Sequence, residues 1–239
     1  MSDQQTITEM FNDISPHYDF LNHLLSFNAD RRWRRITSKQ VSKRHPSAIL
    51  DVATGTADLA IRMAKDMPSA KIIGVDLSKK MLEIGNQKIA EKQLSQRIRL
   101  EAADAAYLPY SDNSFDTVTA AFGVRNFSDL EQGLREMFRV AKNGGTVFIL
   151  EFSQPNSFGI KAPYRFYAHH LLPLIGQIVS RNKNATSYLP SSIDSFPDTQ
   201  SFKTLLLQNG LTEIQFQRFF GGIATLYQGL VEKKSNTSQ

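Results

Sequence analysis

The fold is decided by Ile49-Leu50-Asp51-Val52-Ala53-Thr54-Gly55-Thr56-Ala57-Asp58-Leu59-Ala60. Ile49, Leu50 and Val52 suit a short buried strand. Thr54-Gly55-Thr56 makes a tight turn, and a helix opens at Asp58. A strand, a glycine turn and a helix N-terminus form the ligand corner of a doubly wound α/β sheet. Gly55 lets a ligand approach backbone that a side chain would block. A plain strand-to-helix turn would read the same way, since glycine turns are common.

The neighbouring residues narrow the ligand. A dinucleotide fingerprint needs Gly-x-Gly-x-x-Gly, so that pyrophosphate rests on the helix N-terminus. Here those positions are Gly55, Ala57 and Ala60, and Asp58 would set a carboxylate against the phosphates. A cationic ligand without phosphates fits better. S-adenosyl-L-methionine, with its sulfonium, ammonium and adenosine, is such a ligand. Two further strand ends agree. Asp76 ends the stretch Lys71-Ile72-Ile73-Gly74-Val75-Asp76, about twenty residues past the glycine, where an acid bonds ribose hydroxyls. Ser78 reads as the N-cap of a helix with Met81, Leu82 and Ile84 on its apolar side. Leu100-Glu101-Ala102-Ala103-Asp104-Ala105 is the tail of a third strand, ending in an acid placed to read an adenine amino group.

Working outward, strand patterns cover 48–52, 70–75, 98–102, 115–121 and 146–151, with helical patterns between them such as 130–141. Asn143-Gly144-Gly145 reads as the stop of that helix and the turn into the fifth strand. Such alternation implies a parallel sheet covered on both faces. Two last strand patterns, 211–219 and 223–231, are joined by Phe220-Gly221-Gly222, a link so short that it forces an antiparallel hairpin. The expected sheet therefore has seven strands, mostly parallel, closed by a C-terminal hairpin. The polar tail 233–239 reads as disordered.

Two segments fall outside the alternation. Met10, Phe11, Ile14, Tyr18, Leu21 and Leu25 recur at helical spacing, broken by Ser15-Pro16, so residues 1–45 read as short helices and a lid. Residues 155–197, rich in Phe, Tyr, Leu and Ile, follow a strand's C-terminal end and read as a helical insertion over the site. Ordinary packing on the sheet explains either stretch as well. Arg31-Arg32-Trp33-Arg34-Arg35 is the densest positive cluster. It is either a solvated helix face with Trp33 buried or a patch for anionic headgroups.

Composition bounds the function. A chain of 239 residues suits one large domain, 1–239. With no cysteine, disulfides, thiolate metal sites and cysteine nucleophiles are excluded. No apolar run approaches the roughly 20 residues that span a bilayer, and the polar N-terminus lacks a signal-peptide core. These features place the protein in the cytoplasm, with peripheral contact at the inner membrane face as the extension. The net charge of +5 suits anionic partners. No His-Glu-x-x-His or Gly-x-Ser-x-Gly motif occurs, no metal is expected, and the adjacent His169-His170 read as packing groups. Methyl transfer from a sulfonium needs mainly alignment and exclusion of water, so the lack of a triad agrees with it.

The loop Ala120-Ala121-Phe122-Gly123-Val124-Arg125-Asn126-Phe127 follows the fourth strand and should face the methyl group. It lacks the Asn/Asp-Pro-Pro-aromatic run typical of exocyclic-amine methylation, which counts against a nucleic-acid substrate. Arg125 and Asn126 instead offer donors to a substrate oxygen.

At this point the chain resembles the ubiquinone/menaquinone-biosynthesis C-methyltransferases. The resemblance is carried by Met10-Phe11-Asn12-Asp13-Ile14-Ser15, Tyr18-Asp19, Leu25-Ser26 and Arg32-Trp33-Arg34. It continues through 50–59, Leu108-Pro109-Tyr110, Ser114-Phe115-Asp116, Phe122-Gly123-Val124-Arg125-Asn126, Glu151-Phe152-Ser153, Tyr188-Leu189-Pro190, Ser192 and Phe196-Pro197. It implies a Rossmann-like class I methyltransferase fold and cofactor contacts at Thr56, Asp76, Asp104 and Ala105, joined at the glycine corner by Gly55 and Asp51. Ala57 stands where the family more often has glycine. Ala121 stands where some members have a cofactor-contacting serine, and no contact is assigned to it. The implied reaction is S-adenosylmethionine-dependent C-methylation of demethylmenaquinol, a prenylated naphthoquinol; the place of the loop after the fourth strand, not the resemblance, makes Arg125 and Asn126 the expected catalytic residues. Methyltransferases of other specificity (a benzoquinol, another small molecule, RNA) and a non-catalytic nucleotide-binding module stay open, as does a homo-oligomer.

Overall fold

The computed structural model describes residues 3–15, 18–26, 28–155, 188 and 191–233. Three helices lead the chain: α1 (Asp3–Ile14), α2 (Tyr18–Leu25) and α3 (Ala29–Ser42). The alternating body follows as β1 (Ala48–Val52), α4 (Asp58–Asp66), β2 (Lys71–Asp76), α5 (Lys79–Glu91), β3 (Ile98–Ala102), β4 (Phe115–Ala121), α6 (Leu130–Val140) and β5 (Ala141–Phe152). The chain closes with α7 (Thr199–Gln208), β6 (Leu211–Phe219) and β7 (Ala224–Val231). The seven strands form one sheet in the order β3-β2-β1-β4-β5-β7-β6. The first five run parallel, and β7 pairs antiparallel with both β5 and β6.

Strand alternation sends neighbouring residues to opposite faces. Ile49, Phe148 and Leu150 join a core with Trp33, Ile61, Met63, Ile72 and Phe219 under α3 and α4. Leu50, Val147 and Ile149 join a second core with Leu134, Met137, Phe138, Phe202 and Tyr227 under α6 and α7. The strand order reverses between β1 and β4, and ligands bind in the crevice outside such a switch point.

Three expectations change. First, α6 ends at Val140, and the strand already includes Asn143-Gly144-Gly145. The register with β4 jumps from Phe115↔Ala141 to Thr117↔Thr146, so the glycines form a bulge rather than a helix stop. A Cβ on Gly145 would lie 2.7 Å from the carbonyl oxygen of Lys142, which is why glycine stands there. Second, Lys233 is not part of a loose tail. Its backbone N–H donates to Asn143 Oδ1 (2.9 Å), and its ammonium donates to Asn113 Oδ1 and the Arg139 carbonyl (both 2.7 Å). Residues 234–239 lie outside the described ones. Third, the arginine cluster divides. Trp33 is 2% exposed and stacks on Phe219, and Arg34 is buried, while Arg31, Arg32 and Arg35 face solvent. A headgroup patch of four arginines is therefore reduced to three, because helix periodicity turns Arg34 inward with Asp30. Most of the 155–197 insertion, including His169-His170, falls outside the described residues.

Candidate active site

The exits of β1 and β4 turn too sharply for ordinary backbone. Ala53 (φ 51°), Ala57 (φ 66°) and Phe122 (φ 60°) all sit in the left-handed region. For residues with a Cβ this is strained and concentrates at functional sites. The two exits also touch, since a Cβ on Gly123 would collide with that of Ala53. They frame a cleft of ≈ 660 Å³ over the ends of β1 to β4.

Asp76 lines this cleft. One carboxylate oxygen accepts the Gly55 N–H (2.8 Å) and the other the Ser78 N–H (2.9 Å). Desolvation pushes its pKa up against these bonds. Ser78 caps α5 by accepting from the Met81 N–H, and its hydroxyl donates to Asn12 of α1 (2.7 Å). That bond ties α1 over the cleft, to which it contributes Thr8 and Phe11. Asp104 accepts the Ala106 N–H (2.9 Å) and lines the far wall with Ala103 and Ala105. Val75, Leu77, Met81 and Phe127 supply apolar wall between the two acids.

Of the other expected cofactor residues, Gly55 lines this cleft, whereas Asp51 and Thr56 line a smaller pocket of ≈ 300 Å³ that adjoins it at Ala53 and Gly55. Asp51 accepts hydrogen bonds from Thr119 (2.6 Å) and Thr54 (2.7 Å), yet full burial raises its pKa to about 6. Thr56 donates to Asp19 of α2 (2.7 Å) and accepts from Lys88 (3.1 Å). Lys88 also pairs with Asp19 (2.9 Å) and with Asp58. This cluster latches α2 onto the glycine corner.

Asn126 lines the cleft. Its Oδ1 accepts from the Tyr188 hydroxyl (3.0 Å), which leaves the amide N–H groups as its donors. Tyr188 in turn meets Phe11 edge-on, with ring centroids 6.3 Å apart. Arg125 is arranged differently. Its guanidinium pairs with Glu151 (2.7 Å), donates to the Phe122 carbonyl and to Ser192 (3.3 Å), and lies over the Phe152 ring. Both side chains of the ion pair are almost wholly buried, 2% and 0% exposed. The sequence expectation aims Arg125 at a substrate oxygen. The structure holds it beneath the loop, because buried Glu151 requires a counter-charge.

Sequence reasoning assigned no role to Glu151, Tyr188, Ser192 or Lys88, and read Arg34 only as part of the outward-facing cluster. Tyr188, Ser192 and Glu151 stood in quoted motifs, but their partners lie 26 to 67 residues away and no spacing rule connects them. Among the described residues no cluster of His, Asp and Glu is placed to hold a metal ion, and no helix is long and apolar enough to cross a membrane.

The donor set fits an adenosyl ligand. One carboxylate is anchored at a strand end for a diol, a second acid stands at the next strand end for an amino group, and apolar wall lies between. Comparison with known proteins agrees. The model of the ubiE/COQ5 methyltransferase family matches residues 1–231. A demethylmenaquinone methyltransferase of Porphyromonas gingivalis is 43% identical, over 95% of this chain and 93% of its own. The ubiquinone/menaquinone biosynthesis C-methyltransferase UbiE of Geotalea uraniireducens is 45% identical, over 94% and 96%. Among solved structures the [4+2]-cyclase SpnF superposes with a TM-score of 0.73 at 17% identity, over 97% of each chain. A SAM-dependent methyltransferase from Aquifex aeolicus gives 0.56 at 17% identity, over 81% and 89%. The cyclase shows that this fold alone does not specify the chemistry.

Proposed function

The chain belongs to the ubiE/COQ5 methyltransferase family, and from that membership we propose that it methylates the ring carbon of a demethylmenaquinol, giving a menaquinol. It is an S-adenosylmethionine-dependent methyltransferase of quinone biosynthesis, with a prenylated quinol as substrate. The observation that carries the finer reading is the position of Asn126. Its amide donors border the cleft on the same rim as Asp76 and Asp104.

Bound in the cleft, the cofactor supplies an electrophilic methyl on a sulfonium. Asp76 would hold its ribose hydroxyls, and Asp104 with Ala105 would read its adenine. The quinol carbon beside a hydroxyl would take that methyl as the C–S bond breaks, and the ring would then lose its carbon-bound proton. A phenolic hydroxyl titrates near 10 unperturbed, so donors that favour the oxyanion accelerate the reaction. Asn126 supplies such donors, and the Tyr188 hydroxyl keeps its amide turned the right way. Arg125 acts as a positioning residue. Through Glu151, Ser192 and the Phe122 carbonyl it fixes the loop that carries Asn126. Phe11 and Thr8 exclude water above the rim.

The substrate's tail is dissolved in membrane. Arg31, Arg32, Arg35 and Lys39 form an exposed cationic stripe on α3. Phe220, 56% exposed at the β6–β7 turn, lies 5.9 Å from Trp33 on the same helix. This surface suits a peripheral contact with anionic lipid, each cation contributing up to about 1 kcal/mol.

A quinone profile of cells lacking the protein tests the reaction. Demethylmenaquinone should accumulate while menaquinone disappears, and wild-type protein should reverse both. An unchanged menaquinone pool overturns the reading, and a deficit confined to ubiquinone moves it to a benzoquinol.

A further inference from the structure

The cofactor reading leaves the α1 side of the large cleft with nothing to do but exclude water. Thr8 and Phe11 line the cleft there, together with Asn126 from the β4 loop. They are three residues apart, so they share one face of the helix. The next residue, Asn12, accepts from the Ser78 hydroxyl at the start of α5 (2.7 Å), which fixes the rotation of α1 and holds that face inward. Phe11 is half-buried and meets the Tyr188 ring at 88°, with centroids 6.3 Å apart. The Tyr188 hydroxyl in turn donates to Asn126 Oδ1 (3.0 Å). Two rings set square to each other thus adjoin one amide. Such a pair is a corner rather than a closed stack, and it offers a flat third ring one face and one edge.

We propose that Phe11 and Tyr188 fix the plane of the quinol ring beside Asn126, and that this plane directs the methyl to carbon rather than to oxygen. The inference rests on the quinol reading above and adds to it the residues that choose the product. A hydroxyl reacts through lone pairs that lie near the plane of its ring. The neighbouring carbon reacts through π density above and below that plane. Both atoms are nucleophiles in the same molecule, so the orientation of the ring toward the methyl decides which bond forms. A hydrogen bond from Asn126 holds the oxygen but leaves the ring free to turn about it. Contact with a second aromatic face removes that freedom.

The test measures products. Wild-type protein, Phe11→Leu and Phe11→Tyr are each given methyl-labelled S-adenosylmethionine and a reduced short-tail demethylmenaquinone, and ring-methylated quinol is separated from O-methyl ether. Leucine keeps an apolar side chain but no ring. Phe11→Leu should raise the share of ether by about two- to tenfold, the factor a lost ring contact is worth, and raise KM for the quinol by a similar factor. Cofactor affinity, read by calorimetry, should stay within about twofold of wild type. Phe11→Tyr keeps the ring and should give the wild-type ratio. Tyr188→Leu leaves α1 intact and should shift the ratio in the same direction as Phe11→Leu, so it carries the test if that variant does not fold. An unchanged product ratio overturns the proposal whatever happens to KM. So does a loss of cofactor affinity that matches the loss of rate, or a Phe11→Tyr protein that leaks ether as Phe11→Leu does. Wild-type protein that methylates the quinol on neither atom defeats the quinol reading itself, which is a different failure.

Discussion

At the end of the sheet where β1 begins, Asp116 accepts from the Ser47 N–H (2.8 Å), the Ser47 hydroxyl (2.6 Å), the Ala48 N–H (2.8 Å) and Lys142 (2.6 Å). Despite some burial, these donors hold its carboxyl far below the usual range. At the opposite end, burial raises Asp51 to about 6 and pushes Asp76 upward although both accept hydrogen bonds. The same residue type staples one rim and stands under-compensated on the other. A carboxylate already saturated by the protein has nothing left for a ligand. One that burial has left short of charge gains most when a diol or an ammonium arrives.

The largest effect should come from the ion pair under the β4 loop. Arg125→Ala leaves Glu151 buried and unpaired, and should cost about 3–5 kcal/mol in chemical denaturation. Glu151→Gln in the same chain should restore much of it. Arg125→Lys keeps the charge without the planar fork and should lower kcat while cofactor affinity is retained. A kcat equal to wild type would remove the loop from the mechanism.

Next in size is Asp76. Asp76→Asn keeps an acceptor for the loop but removes the charge, and should weaken cofactor binding by about 1.5–3 kcal/mol. Unchanged affinity in titration calorimetry would mean that the raised pKa of Asp76 has no role in binding.

Asp116→Asn should do the reverse, lowering stability by about 1–2 kcal/mol near neutral pH and leaving cofactor affinity untouched. The sign follows from the depressed folded pKa. The contribution of Asp116 is complete above its unfolded value, near 3.8, and is lost as pH falls. The variant's melting temperature should therefore depend less on pH below about 4. A parallel acid limb in both proteins would count against the staple.

The smallest effect concerns Ala57. At φ 66° glycine is free of the Cβ clash, so Ala57→Gly should stabilise the fold by up to about 1 kcal/mol. A loss of stability would show that the Ala57 methyl, packed in the core, outweighs the backbone strain.

The rim was legible in the sequence wherever a cleft-lining residue sat on a strand end. Gly55, Asp76 and Asp104 follow β-prone runs, and those runs located the strands to within a residue or two. The C-terminal hairpin was legible too, because a three-residue link leaves no other geometry. The β5 bulge was not, since Asn143-Gly144-Gly145 has the residue types of a helix stop, and only pairing with β4 tells the two apart. The directions of Arg34 and Arg125 were not legible, for one reason. An arginine announces a charge, while its direction depends on buried acids elsewhere, here Asp30 at one helical turn and Glu151 at 26 residues.

The most direct test supplies purified protein with methyl-labelled S-adenosylmethionine and demethylmenaquinone, reduced or oxidised, and locates the label by mass spectrometry. With the reduced quinone the label should appear on the ring carbon, and the oxidised form, which lacks the activating hydroxyl, should take up none. Label on a quinol oxygen, or no transfer to the reduced quinone by protein that binds the cofactor, would contradict the proposed C-methylation.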